Sequence, residues 1–497
     1  MFRRDRGGEN RRRHRRRWST FEQLESRQML SGVVSVLKTD GNLLLEGDCS
    51  NNAIEVRQLE TVGRFEVVGK YGTSVDDGTG VPKASTIVNG INGDVTVSLK
   101  EGNDSFELLG SSLGGQSIIV GDLVIENGWG SNLNVLNDVR VNMDFTVQRA
   151  LPGGILSYSE LEIVDTLIQG NTTIANDYLD SGGDSRTIIQ SSDLQGTLTI
   201  TNGCGKDLID IRATEVNKCA GGLTTIVNRD GGSRTTFTAN GHGTVLYGPL
   251  SISNGTNLAE NDTVTFNQTE VYGAVTIDNG HGNTVVSVDN GTVLGSDLLY
   301  DAPVTVMNQS GYDEFTMNRS EAPWGLSIHH SAMSCSPLRT TTPGNGSGDY
   351  YGSSTDISES LIGLHPLHPG DLVVIGDNFD DYVSLMDTRV GGTVQLCLFD
   401  GNNAVSILET SEPEATIFGA LSISCGSGND RVSMNGLRVL TSASVTLGYC
   451  VDSLEILNSV FDGPVVFDGG AGLADQYRAV DSIFGDHVTI TSFELFG

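Results

Sequence analysis

Gly-His-Gly occurs twice in this chain, at residues 241–243 and 280–282, and Asp380 stands beside Asp381. Two carboxylates held at a fixed separation across a glycosidic bond can cleave it, one as acid and the other as base or nucleophile. A second chemistry is suggested by residues 426–430 (GSGND), with partial copies at 101–104 (EGND) and 204–207 (CGKD). Such turns are half of a calcium-roll repeat, and they nominate Asp430 and Asp104 as calcium ligands. A calcium roll repeats its element every nine residues or so, whereas here it comes once per much longer unit, so plain polar corners are the expectation. Third, His329, His330, His365 and His368 bracket residues 331–369. If the ends of that segment meet, the four could converge with Cys335 on a zinc-like ion, although the spacing fits no established zinc signature.

The histidine and acid pairs are similar to polygalacturonase motifs, and many pectinases and lyases are parallel β-helices. That family places its acid pair before Gly-His-Gly and follows it with Arg-Ile-Lys. Here the order is reversed and the tripeptide is missing, so no catalytic residue is assigned.

The elements that would carry these residues are written in a repeat. Residues 273–288 (GAVTIDNGHGNTVVSV) open on glycine, alternate through Val275 and Ile277, turn at Asn-Gly, and alternate again through Val286 and Val288. The same grammar returns at 93–108, 196–211 and 419–434. An asparagine two residues past the second inward position recurs at Asn127, Asn176, Asn202, Asn228, Asn254, Asn279 and Asn308, with spacings of 26, 26, 26, 25 and 29 from Asn176 onward. Three short period-two segments per unit of roughly 25 residues, with no helical period, predict an all-β chain: a right-handed parallel β-helix, or solenoid, of about fifteen coils. Stacked at ~4.8 Å, these make a rod on the order of 70 Å. The asparagines are expected to form a ladder of amides at one corner, in Asn-Gly turns suited to left-handed backbone. Residues 93–330 and 370–497 carry the repeat, residues 331–369 read as a long loop excursion, and residues 32–92 read as five or so strands forming an irregular cap or first coils. Cys425 falls in the ladder slot and Cys450 in the next coil, so a disulfide or a buried thiol is expected there.

Charge is unevenly spread. The chain has 30 basic and 62 acidic side chains, a net −32, yet residues 1–17 hold nine arginines against Asp5 and Glu9; the remainder therefore has 21 basic and 60 acidic groups, about −39. So acidic a body disfavours nucleic acid and anionic membrane and attracts cations, with calcium the candidate cofactor and none assigned with certainty. Seven cysteines without a C-x-x-C exclude a zinc ribbon or thioredoxin-like site, and no apolar window is long enough for a membrane-spanning helix.

After the arginines, Phe21, Leu24 and Met29 could share one face of a short amphipathic helix that Gly32 ends. FEQLESRQMLSG resembles the LEPR-x-L-L type N-terminal motif of exported planctomycete proteins, through Phe21, Glu22, Leu24, Glu25, Arg27, Leu30, Ser31 and Gly32. Ser26 and Met29 stand where that family usually has proline and leucine. The resemblance implies that residues 1–31 are a sorting segment and that the chain is exported to the cell surface or beyond; it implies nothing about catalysis. The expectation is a structural or adhesive surface protein whose partner is a polysaccharide or another envelope protein. The alternative is a carbohydrate-active enzyme on the same scaffold. Residues 485–497 stop in mid-coil, which suggests an oligomer through the C-terminal coil.

Overall fold

A computed structural model of the chain describes residues 32–149, 158–176, 183–219, 221–255, 261–296, 301–309, 311–330, 352–410, 415–485 and 487–496. The sorting segment and its expected helix lie outside them, and the described residues contain no helix.

The fold is the expected parallel β-solenoid. Each coil gives one strand to each of three sheets, the first two with 19 strands and the third with 15. The opening stretch shows why. Val275–Asp278 lies in the first sheet between Leu250–Ser253 and Val304–Met307, with Ile277 stacked on Ile252 and beneath Val306. Thr284–Asp289 lies in the second sheet, where Val286 sits between Val264 and Phe315. Val293–Leu294 enters the third sheet above Thr269–Val271. Side chains alternate inward and outward along each strand, so the period-two residues of all three sheets meet in one continuous core. Phe106, Phe145, Phe237, Phe266, Phe315, Phe461 and Phe467 are fully buried in it, Phe237 and Phe266 stacking at 5.1 Å between centroids.

The N-terminal cap has six strands and a different grammar. Val33–Thr39 pairs antiparallel with Asn42–Glu46, and Arg64–Gly69 pairs antiparallel with both Ala53–Gln58 and Ser85–Asn89. Asn42–Glu46 and Ala53–Gln58 then run parallel to Val95–Lys100 and Asp104–Leu109 of the first full coil. Hairpins thereby cover what would be open strand edges.

The expected interruption is shorter than residues 331–369. Ser353–Ser358 and Leu361–Ile362 are ordinary coil strands in register with Asp313–Asn318 and Glu321–Ala322. Their Ser- and Thr-rich sequence hides the alternation, because Ser353 and Thr355 face inward as hydroxyls rather than as apolar groups.

Candidate functional site

The corners of the solenoid are built from columns of polar side chains. Between the first and second sheets, Asn176 Nδ2 donates to Asn202 Oδ1, and the pattern repeats to Asn228, Asn254, Asn279 and Asn308, every bond at 2.8 Å. These amides are buried and each satisfies the next, which is what allows polar groups in a dry interior. Asn127 stands apart from this run, half-buried, and accepts from Asn134 Nδ2. Left-handed backbone is concentrated at another corner, between the second and third sheets, at Asp138, Asp165, Ser191, Gln268, Asn290 and Arg319 among others.

His330 occupies the next ladder slot. It lies 3.3 Å from Asn308 Nδ2 through Nδ1 and 2.8 Å from Thr355 Oγ1 through Nε2, 1% exposed, and burial drives it down to about 3. Its neighbour His329 points to the outside of the same strand and meets Ser327 Oγ at 2.8 Å. His365 and His368 pack on Trp324 instead, with centroid distances of 4.0 and 5.7 Å. The four histidines therefore serve three separate environments, and among the described residues no three His, Cys, Asp or Glu are grouped to hold a metal ion. Strand alternation alone separates His329 from His330.

Beyond His330 the slot changes character: Gly376, Leu398, Cys425 and Leu447 donate main-chain N–H to the following coil from that position. Cys425 is a free, buried thiol that burial pushes well up, and Cys450 is free and exposed at a corner with φ of 96°. Of the two expectations for this pair, a disulfide or a buried thiol, Cys425 meets the second: its side chain is buried while that of Cys450 is exposed, so the two are not bonded. Cys397 is disulfide-bonded.

A second column opens the second sheet. From Asn52 it runs through Asp104, Asn132, Ser159, Ser185, Asp207, Ser233, Asp262, Thr284, Asp313, Ser353, Asp381, Asn403, Asp430 and Asp452 to Asp475. Its carboxylates accept from the adjacent coil: Ser185 Oγ to Asp207 at 2.6 Å, Ser233 Oγ to Asp262 at 2.7 Å, Thr284 Oγ1 to Asp313 at 2.8 Å and Ser353 Oγ to Asp381 at 2.5 Å. The Ser185 and Ser233 hydroxyls also lie 3.1 Å from Asn202 and Asn254 Oδ1, so that each shares its single proton between the column and the ladder. Burial raises Asp104, Asp313, Asp381 and Asp430 to about 7 and Asp262 and Asp452 to about 6. Asp104 and Asp430, read in the sequence as calcium ligands, are members of this column, in coils near opposite ends of the rod. The sequence signal was present in the three turns ending on Asp104, Asp207 and Asp430, but it marked an inward corner. Asp380 and Asp381 form no catalytic pair: Asp381 is buried in the column, while exposed Asp380 accepts from Asn402 N–H at 2.7 Å.

A third column went unread in the sequence. After the left-handed residue at the second-to-third corner comes a buried hydroxyl, as at Thr166, Ser192, Thr214, Ser320, Ser360 and Ser459, each donating to the carbonyl two residues before it. Serine and threonine are too common for this to show without the register.

The outer flank of the third sheet carries a groove of about 620 Å³, crossing several coils and lined by Gln116, Asp165, Asp193, Glu215, Asn240 and His242, among others. Glu215 pairs with Lys218 at 2.5 Å and lies 3.3 Å from Tyr247 Oη, and Tyr247 stacks on Tyr272 at 5.4 Å. His242 thus belongs to the groove, whereas His281 is exposed at the first-to-second corner. No protein-family model and no curated protein matches the chain.

Proposed function

We propose that this chain is an exported surface protein whose solenoid is a non-catalytic scaffold presenting the third-sheet groove to a neutral polysaccharide. The observation that carries this reading is the groove itself, an elongated, acid- and amide-lined depression with a stacked tyrosine pair beside it. Carboxylates and amides accept and donate to sugar hydroxyls, and tyrosine faces pack against the apolar faces of pyranose rings. The acidic lining repels uronic-acid polymers and leaves neutral chains as the better fit. The bonded state of Cys397 agrees with an oxidising compartment. The N-terminal resemblance supplies the route of export.

Affinity electrophoresis through gels containing neutral polysaccharides tests the binding. Retardation of the wild-type protein, abolished in a Glu215→Ala, Tyr272→Ala double variant, is the expected result; no retardation by any neutral polymer sinks the reading. Fusion of residues 1–35 to a reporter checks export, and a reporter retained in the cytoplasm would remove that half of the proposal. A second reading, a carbohydrate-active enzyme, is favoured by the Asp193 and Glu215 carboxylates sharing the groove. It requires new reducing ends or unsaturated products from a polysaccharide panel, and the scaffold reading expects neither.

A further inference from the structure

The inward column leaves six carboxylates half satisfied. Asp104, Asp262, Asp313, Asp430, Asp452 and Asp475 each accept a hydrogen bond from the neighbouring coil through Oδ1, while Oδ2 is buried with no partner. All six residues are at most 5% exposed. Such an atom ordinarily finds a donor, and its lack of one calls for a cause.

The asparagines of the same column show what the second atom faces. Asn52 Nδ2 donates to the carbonyls of Asp48 and Ser50 at 3.0 and 2.8 Å, Asn132 Nδ2 to those of Gly128 and Gly130 at 3.2 and 3.4 Å, and Asn403 Nδ2 to those of Phe399 and Gly401 at 2.9 and 3.4 Å. The acceptors always lie four and two residues earlier. Asp430 follows Asn403 in register, so Gly426 and Gly428 hold the equivalent places. The two corners follow the same path so closely that a Cβ on Gly428 would lie 1.8 Å from the Gly401 oxygen. An ionised Asp430 would therefore aim a buried negative oxygen at carbonyl oxygens.

Only the Asn403 amide offsets that charge. Asp430 faces Asn403 below, Asp452 above, Asp380 at the outer corner and the Cys425 thiol of its own coil. Asp452 faces Asp430, Asp475 and Cys425, and the next position up is Glu494, whose carboxylate accepts from Asp475 N–H. No lysine or arginine forms an ion pair with these six carboxylates among the described residues. A calcium ion takes about six to eight oxygens, and the corner offers one carboxylate oxygen and two carbonyls already within hydrogen-bond distance of an amide in the asparagine coils. One hydrogen fills that space.

We propose that Asp104, Asp262, Asp313, Asp430 and Asp452, with Asp430 and Asp452 foremost, are proton-binding sites: each is held as a neutral carboxylic acid that donates to its own corner carbonyls as asparagine does. This makes the C-terminal coils a pH-sensitive latch, independent of what the groove binds. The folded carboxyls lie at about 6 to 7, above the ordinary 3.8, so the folded chain holds the extra protons. Their stabilisation is complete below about pH 4 and is lost as the pH rises towards 7.

Hydrogen exchange of the full chain tests this at the amides of Asn403 and Asp430, with Asp430→Asn compared with wild type at the same pH. Equal protection at pH 5, and wild type at least about tenfold less protected than Asp430→Asn at pH 8, is expected; tenfold corresponds to about one unit of displaced pKa. A variant less protected than wild type at pH 8 overturns the proposal, because the ionised carboxylate would then be the preferred form. Protection regained by wild type at pH 8 on adding millimolar calcium, and removed by a chelator, also overturns it in favour of a cation. Should Asp430→Asn not fold, the infrared band of protonated carboxyl in wild-type protein at pH 5.5 decides: ordinary aspartates are ionised there, and absence of the band overturns the proposal.

Discussion

The coils from Asn176 to His330 and the coils from Gly376 to Asp475 share one fold and solve the same corner in opposite ways. In the first group the ladder slot is amide on amide, and the neighbouring column alternates acid with hydroxyl: Ser185, Asp207, Ser233, Asp262, Thr284, Asp313. Serine hydroxyls connect the two columns, so most polar atoms have side-chain partners. In the second group the slot is Gly376, Leu398, Cys425 and Leu447, and the column is an unbroken Asp381, Asn403, Asp430, Asp452, Asp475 in which, past the Ser353 hydroxyl that Asp381 accepts, each link from coil to coil is a main-chain N–H. The difference shows that a corner residue is chosen for its vertical neighbours. Once the amide ladder ends, the slot turns apolar, and the acids lose the hydroxyls that shared their load.

Exchanging the two chemistries breaks the comparison most severely. Leu398→Asn places an amide where no ladder partner exists and removes a 2%-exposed leucine, with an expected loss of about 4 kcal/mol, read from the urea midpoint. The reverse change, Asn254→Leu, strands the Nδ2 of Asn228 and the Oδ1 of Asn279, and a loss of about 3 kcal/mol is expected. Because a solenoid unfolds by neighbouring coils, site-resolved hydrogen exchange should show each loss centred on its own group.

His330, at the junction, sharpens the comparison through pH. Its folded value near 3 lies below the ordinary 6.5, so the unfolded chain binds the extra proton between them; its contribution is present above pH 6.5 and is lost as the pH falls towards 3. The acid limb of stability should flatten in His330→Asn, which continues the amide ladder, and an unchanged acid limb would show that the imidazole is not the group responsible. This sensitivity runs opposite to that of the aspartate column. The smallest effect belongs to the outer surface: Arg438→Gln, which removes the exposed pair with Asp462 at 3.0 Å, should shift stability by under about 1 kcal/mol and less still in high salt.

Legibility followed chemistry. Asn176 to Asn308 could be registered because each stands two residues after the second inward apolar residue of its coil, and Val275, Ile277, Val286 and Val288 because apolar alternation has few other causes. The coil at Ser353–Ser358 was hidden because its inward residues are hydroxyls. His329 and His330 were grouped with His365 and His368 by closeness in sequence, although strand alternation and the Trp324 stack divide them. Asp104 and Asp430 drew notice for their turns, and the direction their side chains face could not be read there.

By itself, the sequence determined the three short apolar segments per coil, the period near 25 residues and hence the solenoid, since period-two burial has to close on a common core. Only the tertiary structure decided which polar groups meet. Partners in this fold stand one coil apart, 22 to 29 residues along the chain at most corners, and corner lengths vary from coil to coil. A one-residue change in a corner turns a side chain from core to solvent. Whether an aspartate finds a serine, an asparagine or another aspartate above it is fixed by that stacking, and with it whether the carboxyl keeps its proton.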